Sequence, residues 1–238
     1  MAAGGFAFQN YNESSSYQRR ILLKATDALY DSLNYVKESE NGTIVIADYG
    51  SSEVYNSMVF LSSILHKFRE TSQQPVYVVH NDLPDNNWMK AFRTIVDSNE
   101  SYRKVPNTFF SAIGLSFYEQ ILPEETVHVG FSSSAIHWLS EPLSAPDHII
   151  PSASEDSEFL ALASEQAHKD LVSILKLRYK ELVPSGRLLL QFADRTRESI
   201  ISNIWQEASE NLFSKGIINE EEKRDLTIPM YRRSPEEI

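Results

Sequence analysis

Two apolar runs that each end in an acidic residue stand in the first third of the sequence. Residues 43–52 read TIVIADYGSS, and residues 76–82 read VYVVHND. Short β-branched runs of this kind are typical of buried parallel strands. The glycine and small residues after the first run favour a tight turn into a helix, and an acid at the end of the next strand suits a ribose diol. The pattern therefore predicts a site for a ligand with an adenosine-like group.

The turn after Asp48 contains a single glycine, Gly50, and does not match the dinucleotide fingerprint of three glycines. A cofactor without phosphates fits this turn better than a dinucleotide. Asp82, when ionised, is a pure acceptor and can receive hydrogen bonds from two ribose hydroxyls. Each acid also has a structural alternative: Asp48 as a cap or turn residue, and Asp82 as the N-cap of the following helix.

Composition limits the classes of protein to which the chain can belong. Its 238 residues carry a net charge of −11, which argues against nucleic acid as a main partner, and they contain no cysteine for a disulfide or a thiolate site. No apolar run approaches the ~20 residues of a membrane span, and the N-terminus lacks the apolar core of a signal peptide. We predict a cytoplasmic, non-membrane protein with one domain over residues 1–238.

Hydrophobic periodicity predicts helices that alternate with strands along the chain. A Pro-Asp-Asn-Asn turn at residues 84–87 is a plausible helix cap, and Pro184-Ser185-Gly186 is expected to end the longest helix. This alternation predicts an α/β domain with a mostly parallel, doubly wound sheet. The predicted helices are residues 14–36, 54–68, 88–96, 155–182 and 198–213, and the predicted strands are 43–48, 76–80, 109–113, 126–131 and 187–192.

Other motifs are weaker or absent. His137 and Trp138 follow a predicted strand and offer hydrogen-bond donors on aromatic surface, although such a pair usually serves packing. The six histidines show no metal-ligand spacing on one element, so no metal is predicted. Neither a nucleophile elbow nor a P-loop is present, which leaves hydrolase and NTPase functions without supporting residues. The Glu220–Glu222 run is most simply a solvated helix start.

Taken together, these segments resemble the SABATH methyltransferases, S-adenosylmethionine (SAM)-dependent enzymes that methylate carboxylates of small molecules and, in some members, ring nitrogens. Six pieces occur in the order of the family and span nearly the whole chain. They are residues 11–18 (YNESSSYQ), 47–57 (ADYGSSEVYNS), 81–84 (NDLP), 116–118 (SFY), 132–140 (SSSAIHWLS) and 228–237 (IPMYRRSPEE).

The resemblance implies a methyltransferase sheet with a partial helical cap near residues 140–160 and 214–238, a homodimer, and a small carboxylic acid as substrate. It implies positional catalysis without an acid or base, because a carboxylate is already ionised at pH 7. The implied acceptor-binding residues are Gln18, Ser134, His137 and Trp138. The implied cofactor-binding residues are Tyr11, Ser15, Asp48, Gly50, Ser51, Asn56, Asp82, Leu83, Ser116, Phe117 and Ser132.

Several positions depart from the family pattern. Val54 stands near a turn that often contains glycine, Leu115 replaces a common glycine, and Ser134 stands where an aromatic contact is frequent. Residues 224–227 do not reproduce a magnesium-associated segment, and the chain ends soon after its last motif. Two alternatives to a carboxyl methyltransferase therefore remain open: an inactive cofactor-binding relative that acts through a partner chain, and a small-molecule N-methyltransferase.

Overall fold

The computed structural model describes residues 10–39, 42–192, 195 and 198–238. Within these residues the chain forms five strands and eight α-helices, with short 3₁₀ turns between some of them. The strands are β1 (Ile44–Tyr49), β2 (Val76–Asp82), β3 (Thr108–Gly114), β4 (Val127–Ser133) and β5 (Leu182–Gln191). The helices are α1 (Tyr11–Ser14), α2 (Ser16–Leu22), α3 (Thr26–Ser39), α4 (Tyr55–Arg69), α5 (Trp88–Asp97), α6 (Ser157–Glu181), α7 (Glu198–Ser214) and α8 (Glu220–Asp225).

All five strands pair in parallel, in the order β3-β2-β1-β4-β5. From β1 the chain therefore adds β2 and β3 on one side, and it then crosses to the other side of β1, where it adds β4 and β5. Ligands of such doubly wound sheets bind outside the carboxyl ends of the strands, where this reversal occurs. The predicted fold class is confirmed, and the reversal lies between β1 and β4.

The residues divide into two compact units, each described here by itself. The sheet unit comprises the described residues up to 135 together with 174–191. Its largest core packs α3 and α4 with the strands, through fully buried side chains such as Leu33, Ile46 and Phe60. Val76 and Val78, which share one face of β2, belong to the same cluster.

The second unit comprises residues 136–173 and those from 192 onward. One apolar cluster joins Leu139 and Tyr231 to Ala163 and Ala167 of α6. Trp138 and Met230 form an antiparallel bridge, flanked by hydrogen bonds from Leu139 N to Pro229 O (2.8 Å) and from Tyr231 N to His137 O (2.7 Å). The predicted cap segments near residues 140–160 and 214–238 both fall in this unit. That the whole chain forms a single domain stays a prediction.

Two predicted boundaries were wrong. Residues 14–36 are not one helix, because a 3₁₀ turn at Leu23–Ala25 separates α2 from α3. The Thr26 hydroxyl donates to Leu23 O at 2.7 Å, and this local bond favours the tighter turn. Strand β5 begins at Leu182 rather than at residue 187, since Leu182 already pairs with Val127 and the register then shifts before Arg187 pairs with Val129.

No helix of the described ranges is long and apolar enough to cross a membrane. The same ranges contain no group of three or more metal-ligating side chains.

Candidate cofactor and acceptor site

The turn after β1 lies at the carboxyl edge of the sheet and is held by β2. Gly50 N and Ser51 N both donate to Asn81 O at 2.9 Å. Gly50 has φ +85°, and a Cβ on this residue would overlap the Cβ of Ala135. A glycine is therefore required here for both its backbone conformation and its size. Ser52 (φ +49°) and Val54 (φ +63°) continue the left-handed backbone into α4.

Asp82 at the end of β2 faces this turn. Its Oδ2 accepts from Ser52 N at 2.6 Å, and its Oδ1 accepts from Leu83 N at 2.8 Å. Burial, with the charge of Asp48 as a smaller cause, raises the pKa of Asp82, although the two backbone donors oppose this. A carboxylate offers about four acceptor positions, so each oxygen of Asp82 can still receive one hydroxyl. Asn87, not Asp82, is the N-cap of α5.

Asp48 contacts other side chains inside the sheet unit. Its Oδ2 lies 2.8 Å from His80 Nδ1, and His80 Nε2 lies 2.7 Å from the Tyr102 hydroxyl. All three side chains are buried. Because a carboxylate only accepts, the Nδ1 of His80 donates to Asp48, and its Nε2 shares a hydrogen bond with the Tyr102 hydroxyl. Neither His80 nor Tyr102 was predicted from the sequence, where a histidine inside an apolar strand was the available signal.

Buried polar atoms without a protein partner surround the same edge. They belong to residues of the turn, of the β2 end and of the first turns of α2 and α4. These atoms are Ser51 Oγ, Ser52 Oγ, Asn81 Oδ1, Asn56 Oδ1 and Gln18 Oε1. Since buried polar groups are nearly always hydrogen-bonded, a polar ligand with several hydroxyl and amino groups fits this edge.

The segment before α2 packs against this edge through Glu53. The buried Glu53 carboxylate accepts from Asn10 N (3.1 Å) and Asn12 N (3.0 Å), and it pairs with Lys90 Nζ at 3.0 Å. Burial and the charges of Asp82 and Asp48 raise the pKa of Tyr11 to about 12, so its hydroxyl remains a donor at neutral pH.

Ser15 is also part of this segment and is buried. Its Oγ accepts from Asn56 Nδ2 at 3.0 Å, which ties α2 to the start of α4. Ser132 of β4 donates from Oγ to Tyr49 O at 2.8 Å and so links the two strands at the chain reversal.

The loop of Ser116 and Phe117 is fixed by two residues near the end of α6. Arg178 donates to Phe117 O (2.9 Å) and Glu119 O (2.7 Å), and Glu181 accepts from Ile121 N at 2.5 Å. Neither Arg178 nor Glu181 was predicted from the sequence. Tyr11, Ser15, Asp82 and the turn after β1 therefore lie in the same unit, the sheet unit. The loop of Ser116 and Phe117 also belongs to this unit and is held in place by Arg178 and Glu181.

Two predicted acceptor-binding residues, Gln18 and Ser134, belong to the sheet unit. Gln191 holds both segments: its Nε2 donates to Ile21 O at 2.9 Å, and its backbone O accepts from Ser134 N at 3.2 Å. Ser134 adopts φ +56°, a conformation that a bulky residue would tolerate poorly. The Gln18 side chain is half-buried on α2.

The other two, His137 and Trp138, belong to the second unit. Their ring centroids lie 5.5 Å apart. Burial, followed by the charges of Arg232 and Arg233, lowers the pKa of His137 to about 3. His137 is therefore neutral at physiological pH and offers one N–H donor and one acceptor.

Comparison with known proteins agrees with these features. A family model described as SAM-dependent carboxyl methyltransferase matches residues 1–238. Methyltransferase FUS9 of Gibberella moniliformis is 29% identical over 185 residues, covering 76% of this chain and 49% of the relative. Benzoate O-methyltransferase of Zea mays is 28% identical over 237 residues, covering 82% and 61% of the two chains.

A solved structure described as loganic acid methyltransferase with SAH (S-adenosylhomocysteine) superposes with a TM-score of 0.76 at 22% identity, covering 100% of this chain and 73% of that one. This likeness confirms the fold. The chain spans about half to three fifths of the length of the first curated relatives, from 49% to 63%. Because the family model extends over the whole sequence, the chain belongs to the SAM-dependent carboxyl methyltransferases, the family that its motifs predict.

Proposed function

We propose that this protein transfers the methyl group of SAM to the carboxylate of a small organic acid. The observation that carries the proposal is the oriented carboxylate of Asp82, held by Ser52 N and Leu83 N at the carboxyl edge of the sheet, among buried polar atoms without partners. Family membership supports the same cofactor. The activities for which relatives are named, among them benzoate and loganic acid O-methyltransferases, support a small acid as acceptor.

Each predicted cofactor-binding residue has a defined role in this proposal. Asp82 accepts the two ribose hydroxyls, while Ser116 and Phe117 flank the adenine, and Leu83 adds apolar surface beside it. Tyr11, Ser51 and Asn56 contribute polar atoms to the amino-acid end of the cofactor. Gly50, Ser15, Asp48 and Ser132 act indirectly, since their contacts in the structure are with the protein.

The bound cofactor would supply a methyl group on a positively charged sulfur. A carboxylate oxygen of the acceptor would attack the methyl carbon, forming a C–O bond as the C–S bond breaks and leaves its electron pair on sulfur. The products are a methyl ester and SAH, and no proton is transferred. The residues of the protein therefore contribute by placing the oxygen in line with the C–S bond.

Neutral donors suit the reacting carboxylate better than a cation does. A strong ion pair would stabilise the ground-state carboxylate, and its attraction would weaken as the negative charge is lost in the transition state. Gln18 and Trp138 offer uncharged N–H donors, and His137 stays neutral because its pKa is about 3. We assign these three residues and Ser134 to the acceptor.

Three finer features belong to the proposal as well. We infer a homodimer and a cytoplasmic location from the resemblance to the family. We also infer that nucleic acid is not a partner, because the net charge of −11 repels a phosphate backbone.

The proposal is tested by calorimetric titration with SAH, followed by mass spectrometry of benzoate incubated with SAM bearing a deuterated methyl group. We expect one SAH per chain and a deuterated methyl ester. Asp82→Ala should weaken SAH binding at least about tenfold, because hydrogen bonds to a carboxylate contribute about 1.5–3 kcal/mol. The control is Asp85→Ala, which removes an exposed acid three residues away. Equal SAH affinity of Asp82→Ala and the wild type would contradict the site.

A further inference from the structure

Arg232, in the second unit, is a buried cation whose side chain has no hydrogen-bond or ion-pair partner among the described residues. Only 8% of its surface is exposed, its Nε is buried without a hydrogen-bond acceptor, and its side chain makes no ion pair within the described ranges. The neighbouring Arg233 differs, since its guanidinium donates to Ile136 O and Ala167 O. An unpaired buried charge is unfavourable in a folded protein, so the guanidinium of Arg232 is suited to an anion from outside the chain.

Arg232 is placed close to Trp138 by the strand-like pairing of their segments. Met230 lies opposite Trp138 in the antiparallel bridge, and Arg232 follows two residues later, at most about 7 Å along the backbone. Arg232 N donates to Ser152 Oγ at 3.2 Å, which fixes the backbone at this point. The positive charge of Arg232 also disfavours protonation of His137 and so contributes to the lowered pKa of His137.

Apolar side chains occupy the bridged segments that lead to Arg232. Trp138 and Ile228 pack against a buried cluster of Ile149, Ile150 and Met230. A site of this composition suits an acid with an apolar or aromatic body, whose anionic group pairs with the guanidinium. A planar guanidinium binds a carboxylate through two parallel hydrogen bonds, which gives both affinity and orientation.

We propose that Arg232 binds a second, non-reacting carboxylate of the acceptor, and that the preferred substrates are therefore small dicarboxylic acids. This inference rests on the proposed function for the reacting end of the acceptor at Trp138. A guanidinium would hold the reacting carboxylate in its ground state, so it is better used on a carboxylate whose charge does not change during the reaction.

The experiment measures binding of two acids to SAH-saturated protein at pH 7 by calorimetry. Benzoate has one carboxylate, and terephthalate has a second one across the ring. For the wild type we expect terephthalate to bind at least about tenfold more tightly than benzoate, in line with the strength of a charged hydrogen-bonded pair. Arg232→Gln should abolish this preference, and Arg232→Lys should retain part of it.

Two controls separate recognition from a structural effect. SAH affinity and benzoate affinity should stay unchanged in Arg232→Gln, whereas damage to the fold would lower both. Arg103→Gln makes the same chemical change at an exposed arginine of the sheet unit and should leave the terephthalate preference intact. A preference that survives in Arg232→Gln, or an equal loss for both acids, would overturn the inference.

The result is also independent of the proposed function. If no acid is methylated but terephthalate still binds in a manner that depends on Arg232, the proposed reaction fails and the second anion site stands. If benzoate is methylated and terephthalate shows no preference that depends on Arg232, the reaction stands and the inference about dicarboxylic acids is wrong.

Discussion

The guanidinium of Arg178 and the carboxylate of Glu181 form an ion pair of 2.8 Å whose two side chains are 1% and 0% exposed. Glu181 also accepts from the Tyr49 hydroxyl at 2.7 Å, and the guanidinium of Arg178 lies 4.3 Å from the centroid of the Tyr49 ring. Burial and the charge of Glu181 raise the pKa of Tyr49 well above its usual range. The pair thus joins the end of α6 both to β1 and to the loop that carries Phe117.

Replacing Arg178 with methionine should destabilise the protein strongly. The change leaves the carboxylate of Glu181 buried without a counter-ion, and breaking a buried pair in this way costs about 3–5 kcal/mol. Urea unfolding followed by circular dichroism measures the loss. The double variant Arg178→Met/Glu181→Leu should recover part of it, because no uncompensated charge remains.

An exposed ion pair on the same helix provides the control. Lys169 and Glu165 are 2.7 Å apart, and their side chains are 63% and 62% exposed. Lys169→Met should not change the urea midpoint measurably, since solvent screens such a pair. Equal effects of Arg178→Met and Lys169→Met would contradict the role assigned to the buried pair.

Tyr102→Phe tests the buried chain from Asp48 through His80. The substitution removes the hydroxyl that is hydrogen-bonded to His80 Nε2, and the buried nitrogen left without this partner should lower the free energy of unfolding by about 1–3 kcal/mol. Tyr77→Phe is a matched change on the same strand as His80, at a hydroxyl that makes no hydrogen bond to the described residues, and it should have little effect. Similar losses in the two variants would mean that the His80 contact contributes nothing.

The regular elements could be predicted from the sequence because their hydrophobic period reflects burial directly. The prediction of residues 109–113 for β3 and 88–96 for α5 differs from the structure by one residue at each end or less. The single helix over residues 14–36 was wrong, since the apolar period continues through a turn that depends on one hydroxyl, that of Thr26.

The site could be predicted only in part, and the reason is physical. Asp82 was identifiable because a strand end fixes where its backbone lies. The orientation of the Asp82 carboxylate was not predictable, because it depends on a hydrogen bond from Ser52 N, and the left-handed backbone of the turn brings that amide into place. Arg178 and Glu181 left one signal that was not used: they continue the spacing of the buried Ile174 on the apolar face of α6.

The affinity for SAH should fall as the pH is lowered. Burial raises the pKa of Asp82 above 3.8, so this carboxyl takes up a proton at a higher pH than an exposed aspartate does. The protonated group loses an acceptor for the ribose. Calorimetry at a series of pH values from 8 down to about pH 4, close to the ordinary carboxyl pKa of 3.8, should show weakening in the wild type, whereas the weak residual binding of Asp82→Asn should not change with pH. A wild-type affinity that is constant over this range would argue against Asp82 as the ribose acceptor.

His137 should make stability depend on acid pH. Its pKa is lowered from 6.5 to about 3, so below pH 6.5 the unfolded chain binds a proton that the folded chain does not bind. The stability contributed by neutral His137 is therefore complete above pH 6.5 and is lost as the pH falls toward 3. Urea unfolding at several pH values should show a steeper decline for the wild type than for His137→Gln. Parallel curves would mean that the pKa of His137 is not lowered in the folded protein.

Gly50→Ala should lower the stability of the protein by more than the left-handed backbone conformation of residue 50 alone explains. A left-handed φ costs a non-glycine residue about 1 kcal/mol, and the new Cβ would also overlap Ala135. Gly216→Ala isolates the first effect, because Gly216 has φ +64° and open space around it. We expect a melting temperature that falls further for Gly50→Ala than for Gly216→Ala, together with weaker SAH binding for Gly50→Ala alone. The double variant Gly50→Ala/Ala135→Gly should recover the part of the loss in melting temperature that comes from the overlap with Ala135. A double variant with the same melting temperature as Gly50→Ala would show that the backbone conformation, and not the close approach to Ala135, requires glycine at this position.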